Sequence, residues 1–353
     1  MRNRRKILII APYQFGKLSD CYYWAKYSLI KGWDVTYIGY KYRSRAIKER
    51  TYPGVKVKSV NHYTNRVFLG ICFYLKCIIE ILLYNQRNII ICRMPMCQLL
   101  PKLFPNRNII LDVRTLSVTD NLSIREKQDN ILKSIKRKFK KCSVISEGVG
   151  YKIGAPYEIL PLGAESLSQC IKLFDKIRLF YIGTFDNRKL SIFIEGLALF
   201  QKKTGNLISF DIVGGGQQEE TALLNKTICS TGVKNVRLHG YLTHEEAQTF
   251  FDYCNVGVCF VPMTEYYQHQ PPTKLYEYLL SGMAVIATKT HSNELVVNKE
   301  NGILVDDTAI SVCHGLSLLI KNFYRYNSAE IVSQSQKYHW AEIIKNYLIP
   351  LMK

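Results

Sequence analysis

Short runs rich in Ile and Val recur along the first half of the chain, separated by longer stretches in which apolar and polar residues mix. Continuous apolar runs of this kind are typical of parallel strands that are covered on both faces. The stretches between them are predicted to be helices, for example at residues 20–31 and 123–140. The predicted strands are residues 6–12, 34–39, 55–60, 88–93, 108–113 and 143–146.

The second half repeats this alternation after a polar stretch that begins near residue 165. Its predicted strands are residues 178–182, 209–213, 235–238, 256–260 and 284–287. Its predicted helices are residues 190–203, 217–230, 243–253 and 273–281. A last helix, around residues 329–347, has no strand after it and is expected to pack back on the first domain.

This order of elements predicts an α/β protein with two doubly wound, Rossmann-like domains. We expect the first domain to comprise residues 1–165 with a C-terminal helix of about 335–353, and the second to comprise residues 166–334. Ligands of such sheets bind beyond the carboxyl ends of the strands, so the site is expected in a central cleft that the two domains face.

Residues 67–84 are mostly apolar and approach the length of a membrane span. Lys76 and Glu80 lie near the middle of the segment, where a charge is unfavourable in a bilayer. A helix that packs on a sheet is therefore the preferred interpretation, and contact of this helix with a bilayer surface is left open.

The net charge of +20 is distributed unevenly along the chain. Residues 1–165 hold 30 Lys and Arg against 11 Asp and Glu, whereas the remainder holds 18 against 17. A basic half favours a polyanionic partner such as nucleic acid, an anionic membrane or a phosphorylated lipid. Residues 133–141 contain six cations and suit an anionic bilayer, although a solvated helix face is an alternative for this run.

The 11 cysteines show neither a CxxC pair nor a His/Cys cluster at zinc spacing, so no metal is expected. They are predicted to be small buried apolar side chains in a reducing compartment. The basic residues at the N-terminus run directly into the first predicted strand rather than into a signal peptide, so a cytoplasmic location is expected.

The segment PPTKLYEYLLSG carries the most informative chemistry. Pro272 blocks a helix upstream, Thr273 is placed to cap the helix that follows, and Gly282 is placed to end it. Lys274 in the first turn is unfavourable for the helix dipole unless an anion binds there. Glu277 lies on the same face one turn later and suits the two hydroxyls of a ribose, although an exposed Lys–Glu pair explains the spacing equally well.

Two further strand ends carry candidate ligands for phosphate. Gly183 ends one predicted strand, and Arg188 and Lys189 open the next helix, as a diphosphate site requires. The segment DIVGGGQ contains Gly214 and Gly216 but lacks the third glycine of a dinucleotide fingerprint, which argues against NAD.

The order of these three segments resembles the retaining glycosyltransferases of family 4, which have the GT-B fold. The LHGYL run at residues 238–242 and the NGILV run at residues 301–305 add to the resemblance, which is strongest over residues 178–306. It implies that Lys189, with Arg188, holds the diphosphate of a UDP- or GDP-sugar substrate and that Glu277 holds its ribose. Gly214 and Gly216 are then expected near the base or the phosphates.

The chain departs from the family pattern at two positions. His269 stands where the family has the first of two glutamates, so His269 takes over the contact with the donor sugar or the sugar is bound differently. Thr184 follows the strand-end glycine where the family commonly has Arg, and Arg188 is expected to compensate.

The first domain is expected to bind the acceptor. Phe15 and Gly16 follow its first strand, and Arg93 and Arg114 lie at or beyond the ends of two others. Asp112 is a candidate catalytic base, although a structural role at a strand end is equally compatible with the sequence.

Retaining transfer through the donor's own phosphate needs no enzymic nucleophile, so the expected work is to stabilise charge on the departing diphosphate. Arg188, Lys189 and Lys274 are suited to that work without a metal or other cofactor. The basic half then predicts a peripheral enzyme on the inner face of the cell membrane, which glycosylates a lipid-linked or oligosaccharide acceptor in surface polysaccharide synthesis.

Three alternatives remain open from the sequence. One is another GT-B enzyme, such as an inverting transferase or a sugar-nucleotide epimerase. Another is a catalytically silent GT-B subunit, which the missing first glutamate favours. The third is a nucleic-acid-binding protein, for which no recognition motif is present, so nucleic acid is not the expected partner.

Overall fold

The computed structural model describes residues 5–41, 50–61, 66–92, 95–119 and 121–352. The chain forms two compact units, of which the first comprises Met1–Leu162 with Trp340–Lys353 and the second Gly163–His339. The sequence predicts that the first domain ends at residue 165 and resumes at about residue 335. In the structure the first unit ends at residue 162 and resumes at residue 340.

The first unit is built on one parallel sheet in the order β3-β2-β1-β4-β5-β6-β7. Its central strands are buried apolar runs, as the Ile- and Val-rich pattern predicts. The strands are β1 Lys6–Ile10, β2 Asp34–Lys41, β3 Lys56–Asn61, β4 Asn88–Cys92, β5 Asn108–Val113, β6 Lys141–Val144 and β7 Glu158–Ile159. The helices between them are α1 Ser19–Ile30, α2 Arg66–Leu83, α3 Leu100–Leu103, α4 Leu122–Lys136 and α5 Glu147–Ile153.

The second unit contains a parallel sheet in the order β10-β9-β8-β11-β12-β13. Its strands are β8 Arg178–Thr184, β9 Ser209–Gly215, β10 Val236–Gly240, β11 Val256–Cys259, β12 Ala284–Thr288 and β13 Gly302–Val305. Its helices are α6 Leu190–Thr204, α7 Gln218–Thr231, α8 His244–Tyr253, α9 Thr273–Leu280, α10 His291–Glu294, α11 Ala309–Asn322 and α12 Ser328–Ser335. Both sheets have the strand order of a Rossmann-like domain, which the alternation of elements predicts.

The prediction of a single C-terminal helix around residues 329–347 is wrong. Helix α12 belongs to the second unit, and the helical conformation is interrupted after it. The backbone of Tyr338 accepts a hydrogen bond from Ala164 at 2.9 Å, and His339 forms a parallel bridge with the same residue. This pairing holds His339 in an extended conformation that a helix cannot include.

The chain re-enters the first unit at α13 Trp340–Ile343, continues as a π-helical turn at Ile344–Leu348 and ends at α14 Ile349–Leu351. The Trp340 ring is fully buried and stacks on Tyr23 of α1 with a centroid distance of 5.5 Å. The C-terminal segment therefore does pack on the first unit, as expected, although it is shorter than predicted.

Helix α2 forms where the sequence places a helix packed on a sheet. Glu80 is buried and lies 3.7 Å from Lys58 on β3, so the acidic residue of this helix faces the protein. Within the part of the chain that the structure describes, no helix combines the length and the apolar character that crossing a bilayer requires.

Asn255, which precedes β11 and is fully buried, fastens the segment before β8 to the second sheet. Its side-chain oxygen accepts a hydrogen bond from the Arg178 backbone at 2.9 Å. Its amide donates to the carbonyls of Leu173 and Lys176 at 2.7 and 2.8 Å.

We expect Asn255→Ala to lower the free energy of unfolding by roughly 2–4 kcal/mol, because three hydrogen bonds are lost and buried backbone groups are left without partners. Urea unfolding followed by circular dichroism measures this change. Tryptophan fluorescence is unsuitable, because Asn255 lies in the second unit and all three tryptophans (Trp24, Trp33 and Trp340) lie in the first. Asn225→Ala is the control, because Asn225 is exposed on α7 with one side-chain bond to Thr221, and we expect a change within about 0.5 kcal/mol. Equal effects of the two substitutions would contradict the role of Asn255.

Candidate functional site

The residues predicted to bind phosphate and ribose come together at the carboxyl edge of the second sheet, where α9 begins. Pro272 is the N-cap, with φ −81° and ψ 128°, and its side chain makes no capping hydrogen bond. The prediction that Thr273 caps the helix is wrong, because the fixed φ of proline places the cap one residue earlier and makes Thr273 the first helical residue. Gly282 follows the helix with φ +73°, in the left-handed conformation that ends it as predicted.

Lys274 lies in the first turn of α9 and points into a crevice at the end of β8. Its Nζ is buried and makes no hydrogen bond within the described residues. The atom lies 3.6 Å from the centroid of the Tyr181 ring and 3.0 Å from the position that a Cβ on Gly183 would occupy. Burial lowers the pKa of Lys274 to about 7, and the charge of Arg188 lowers it further.

Glu277 lies one turn after Lys274 on the same face of α9 and is half-buried. Burial raises the pKa of its carboxyl to about 7, and the nearby Lys274 acts in the opposite direction. The exposed Lys–Glu pair considered from the sequence is therefore not what the structure contains. The two groups form an acid and a base in a desolvated crevice, each with a pKa shifted towards neutrality.

The two predicted cations before α6 differ in their surroundings. Arg188 donates a hydrogen bond to the Tyr267 hydroxyl, and its guanidinium carbon lies 4.8 Å from the centroid of the Tyr267 ring. Lys189 is exposed, with φ +49°, at the N-cap of α6. Of the predicted pair of cations, Arg188 lies close enough to Lys274 to lower its pKa, whereas Lys189 is exposed.

The predicted glycines bring two strand-end loops into backbone contact. Gly183 and Gly214 have φ of +142° and +139°, and a Cβ on Gly214 would lie 1.8 Å from the carbonyl oxygen of Gly183. A Cβ on Gly216 would lie 2.5 Å from Oδ1 of Asp186, which also accepts a hydrogen bond from the Gln217 backbone at 2.6 Å. A carboxylate of the protein therefore lies against the residue that precedes α7.

Thr184 is exposed and shapes the loop after β8. Its hydroxyl accepts a hydrogen bond from the Asp186 backbone at 3.2 Å, and its carbonyl accepts one from the Tyr181 hydroxyl at 2.6 Å. Tyr181, Asp186 and Tyr267 were missed by sequence reasoning. Of these three residues, only Tyr181 could have been found from the sequence. It lies two residues before Gly183 and therefore on the same face of β8.

His269 lies in the loop between β11 and α9 and is half-buried. Its ring lies 5.1 Å from the ring of His291 at an interplanar angle of 70°. Gln268 holds the two loops together, because its side-chain oxygen accepts a hydrogen bond from the His291 backbone at 3.0 Å and its carbonyl accepts one from Ser292 at 2.9 Å. The position that departs from the family pattern is thus occupied by one member of a histidine pair.

In the first unit, the residues predicted at the strand ends form a buried network. Asp112 is fully buried and accepts a hydrogen bond from the Ser143 hydroxyl at 2.7 Å, and burial raises its pKa to about 7. Arg114 pairs with Asp20 at 2.5 Å and donates to the carbonyl of Leu160 at 2.5 Å. Asp112 and Arg114 therefore contact the protein interior, as the structural alternative for Asp112 predicts.

The other predicted acceptor-side residues are Phe15, Gly16 and Arg93. Phe15 is buried, with its ring centroid 5.0 Å from that of Tyr37, so its side chain belongs to the core. Gly16 has φ +87°, which agrees with the permissive backbone expected there. Arg93 lies outside the described residues.

The described residues contain no cluster of three or more His, Cys, Asp or Glu side chains arranged to hold a metal ion. The crevice instead offers a buried ammonium group, a guanidinium group, a helix N-terminus and a carboxyl group. The first three recognise an anion such as a diphosphate, and the carboxyl group accepts hydrogen bonds from hydroxyls.

A family model described as "Glycosyl transferases group 1" matches residues 176–322. The match covers β8 to α11 and thus includes Tyr181, Gly183, Arg188, Lys274 and Glu277. This part of the chain is similar to that family. A sequence comparison with curated proteins finds no match.

Solved structures resemble the whole chain. Sucrose-phosphate synthase from Thermosynechococcus elongatus has a TM-score of 0.75 at 15% identity, with 98% of each chain covered. HepE from Anabaena, solved with UDP and glucose, has a TM-score of 0.73 at 13% identity, with 99% of each chain covered. The lipopolysaccharide outer core galactosyltransferase WaaB has a TM-score of 0.68 at 14% identity, covering 98% of this chain and 99% of the other. The predicted GT-B class, with two Rossmann-like α/β domains, is confirmed.

The shifted pKa values of Lys274 and Glu277 predict a pH dependence of stability. The pKa of Lys274 falls from 10.5 to about 7, so its contribution to stability is complete above 10.5 and is lost as pH falls through 7. The pKa of Glu277 rises from 4.5 to about 7, so its contribution is complete below 4.5 and is lost as pH rises through 7. Together the two groups make their smallest contribution near pH 7.

We therefore expect the double variant Lys274→Met/Glu277→Gln to gain most in melting temperature over the native chain near pH 7 and less towards pH 5 and pH 10. Thermal unfolding at matched ionic strength across this range measures the difference. A difference that does not vary with pH would show that these side chains are not buried as described.

Proposed function

We propose that the protein is a glycosyltransferase that binds a nucleotide-diphosphate sugar at the carboxyl edge of its second sheet. The observation that carries the proposal is the buried Nζ of Lys274, which makes no hydrogen bond within the described residues and lies at the start of a helix whose N-cap side chain makes no capping hydrogen bond. An ammonium group in this position is unfavourable until an anion binds beside it. The match of residues 176–322 to "Glycosyl transferases group 1" supports the same site.

The donor diphosphate is placed against Lys274, Arg188 and the N-terminus of α9. As the bond between sugar and phosphate breaks, negative charge develops on the leaving diphosphate, and preorganised donors in a desolvated site stabilise that charge. Tyr267 holds the Arg188 guanidinium in position through its hydroxyl and its ring. Glu277 accepts hydrogen bonds from the ribose hydroxyls.

The finer assignment is a retaining, metal-independent transfer from a UDP- or GDP-sugar. The fold shared with HepE, solved with UDP and glucose, supports a nucleotide-sugar donor. Retention through the donor's own phosphate agrees with a site that presents Lys274 and Arg188 to the leaving diphosphate. Asp112 is fully buried and accepts a hydrogen bond from Ser143, so we assign it no role as a base in this scheme.

The acceptor is a lipid-linked or oligosaccharide substrate of surface polysaccharide synthesis, reached from the inner face of the cell membrane. The 30 cations against 11 acidic residues in residues 1–165 support attachment to an anionic surface. The galactosyltransferase WaaB, which shares the fold, is named for the lipopolysaccharide outer core.

A catalytically silent subunit of the same fold is the second candidate, because His269 occupies the position of a family glutamate. Release of free sugar from UDP- and GDP-sugars by the purified protein separates the two candidates. Hydrolysis supports the enzyme, whereas binding of donor without hydrolysis or transfer supports the silent subunit.

We expect Glu277→Ala to weaken binding of the nucleotide sugar by roughly ten- to hundredfold, because hydrogen bonds to a charged group are lost. Isothermal titration with a panel of UDP- and GDP-sugars measures the affinity, and circular dichroism checks the fold. Glu195→Ala on the exposed surface of α6 is the matched control and should bind as the native chain does. An unchanged affinity in Glu277→Ala would refute the assignment of the ribose site.

Binding of the diphosphate is also expected to take up a proton above neutral pH. With a pKa of about 7, Lys274 is mostly neutral at pH 8, and an adjacent diphosphate raises its pKa and protonates it. Calorimetric titration of UDP in two buffers of different ionisation enthalpy measures the proton uptake. The affinity of the protein for UDP should fall as pH rises above 7. Lys274→Met should abolish the uptake, whereas the exposed Lys203→Met should preserve it; equal uptake in both variants would exclude Lys274 as the source.

A further inference from the structure

Helix α2 of the first unit presents a continuous apolar stripe to solvent. Successive members are four residues apart, a step that advances about 40° around the axis, so together they wind across roughly half the circumference of a helix about 27 Å long. Monomeric soluble proteins rarely expose contiguous apolar patches larger than a few hundred Å². The stripe consists of Val67, Ile71, Leu75, Ile79 and Leu83, flanked by Phe68 and Leu82, with exposed fractions between 47% and 73%.

The stripe is not required for packing of the helix on its own sheet. The opposite side of α2 supplies the core contacts, because Phe73, Cys77 and Ile81 are fully buried. Glu80 lies on that inner side, 3% exposed and paired with Lys58. The acidic residue of α2 is therefore turned away from the stripe, and Lys76 is half-buried.

A cluster of exposed cations lies near α2. Helix α2 packs against the short 3-10 helix Pro95–Leu99, where the Gln98 side chain accepts a hydrogen bond from Lys138 at 2.6 Å. Lys138 belongs to a cluster of exposed cations that also contains Arg137, Lys140 and Lys141.

We infer that α2 lies in the interface of an anionic bilayer, with its apolar stripe among the acyl chains and the nearby cations at the lipid headgroups. An exposed apolar face with cations nearby is the pattern of an interfacial helix. The inference rests on the proposed attachment to an anionic membrane and names the element that enters it. A second copy of the chain is a poor occupant, because residues 1–165 carry 30 cations against 11 acidic residues and two such surfaces repel.

Electrostatic attachment alone and insertion of the stripe differ in their response to salt. Screening by salt releases a protein held by surface charge, whereas burial of apolar side chains persists. Sedimentation with vesicles of phosphatidylglycerol and phosphatidylcholine in equal amounts, at low and high NaCl, separates the two modes. We expect the native chain to bind these vesicles and a measurable fraction to remain bound at high salt.

The variant Ile71→Ser/Leu75→Ser leaves the charge unchanged and should weaken vesicle binding by at least about tenfold at both salt concentrations. Leu207→Ser/Ile310→Ser is the matched control, because these residues are 61% and 78% exposed in the second unit, and it should bind as the native chain does. Lys140→Ser/Lys141→Ser should weaken binding at low salt only. Circular dichroism confirms that each variant is folded.

Three results would overturn the inference. If salt releases all of the native chain and Ile71→Ser/Leu75→Ser binds normally, attachment is electrostatic and the proposed membrane association stands without insertion. If the native chain binds no vesicles at all, the membrane association fails as well. If light scattering shows a dimer that Ile71→Ser/Leu75→Ser converts to a monomer, and no vesicles bind, the stripe is an interface between copies. None of these measurements uses a nucleotide sugar, so they leave the proposed donor site untouched.

Discussion

The candidate site depends on one unfavourable feature, the burial of the Lys274 ammonium group at the end of β8. The group lies over the Tyr181 ring, and the absence of a side chain at Gly183 leaves it the necessary space. Burial in this position disfavours the charged form and lowers the pKa of the group. Because the described residues provide no hydrogen-bonding partner for this atom, the anionic ligand that we propose would offset the cost of burying the charged group.

The sequence predicted those parts of the site that depend on local spacing. Lys274 and Glu277 lie three residues apart on a helix whose start and end are marked by Pro272 and Gly282, so their common face follows from the helical repeat. Contacts between distant segments left no such signal. The pairing of Arg188 with Tyr267 joins two loops far apart in the chain, and the sequence could not show that Lys189 is exposed while Arg188 is enclosed.

The strands were predictable for the same reason, because a buried parallel strand is a continuous apolar run. The short strand β7 and the strand β13, which begins at a glycine, lack that signature and were not predicted. The C-terminal break at His339 arises from pairing with Ala164, a contact that helical periodicity does not encode. Periodicity likewise could not tell which side of α2 is covered, because that helix is apolar nearly all round.

The contact between Gly183 and Gly214 constrains how the proposed donor site can vary. Neither position accepts a side chain, since a Cβ on Gly214 would collide with the Gly183 carbonyl and both residues have positive φ. These two loops can offer a ligand only their backbone groups, and any relative that keeps the loop contact inherits the same restriction. If the proposed donor site discriminates among sugars, the side chains that do so must lie elsewhere, and the loop before α9, with His269 near His291, has side chains outside the sheet.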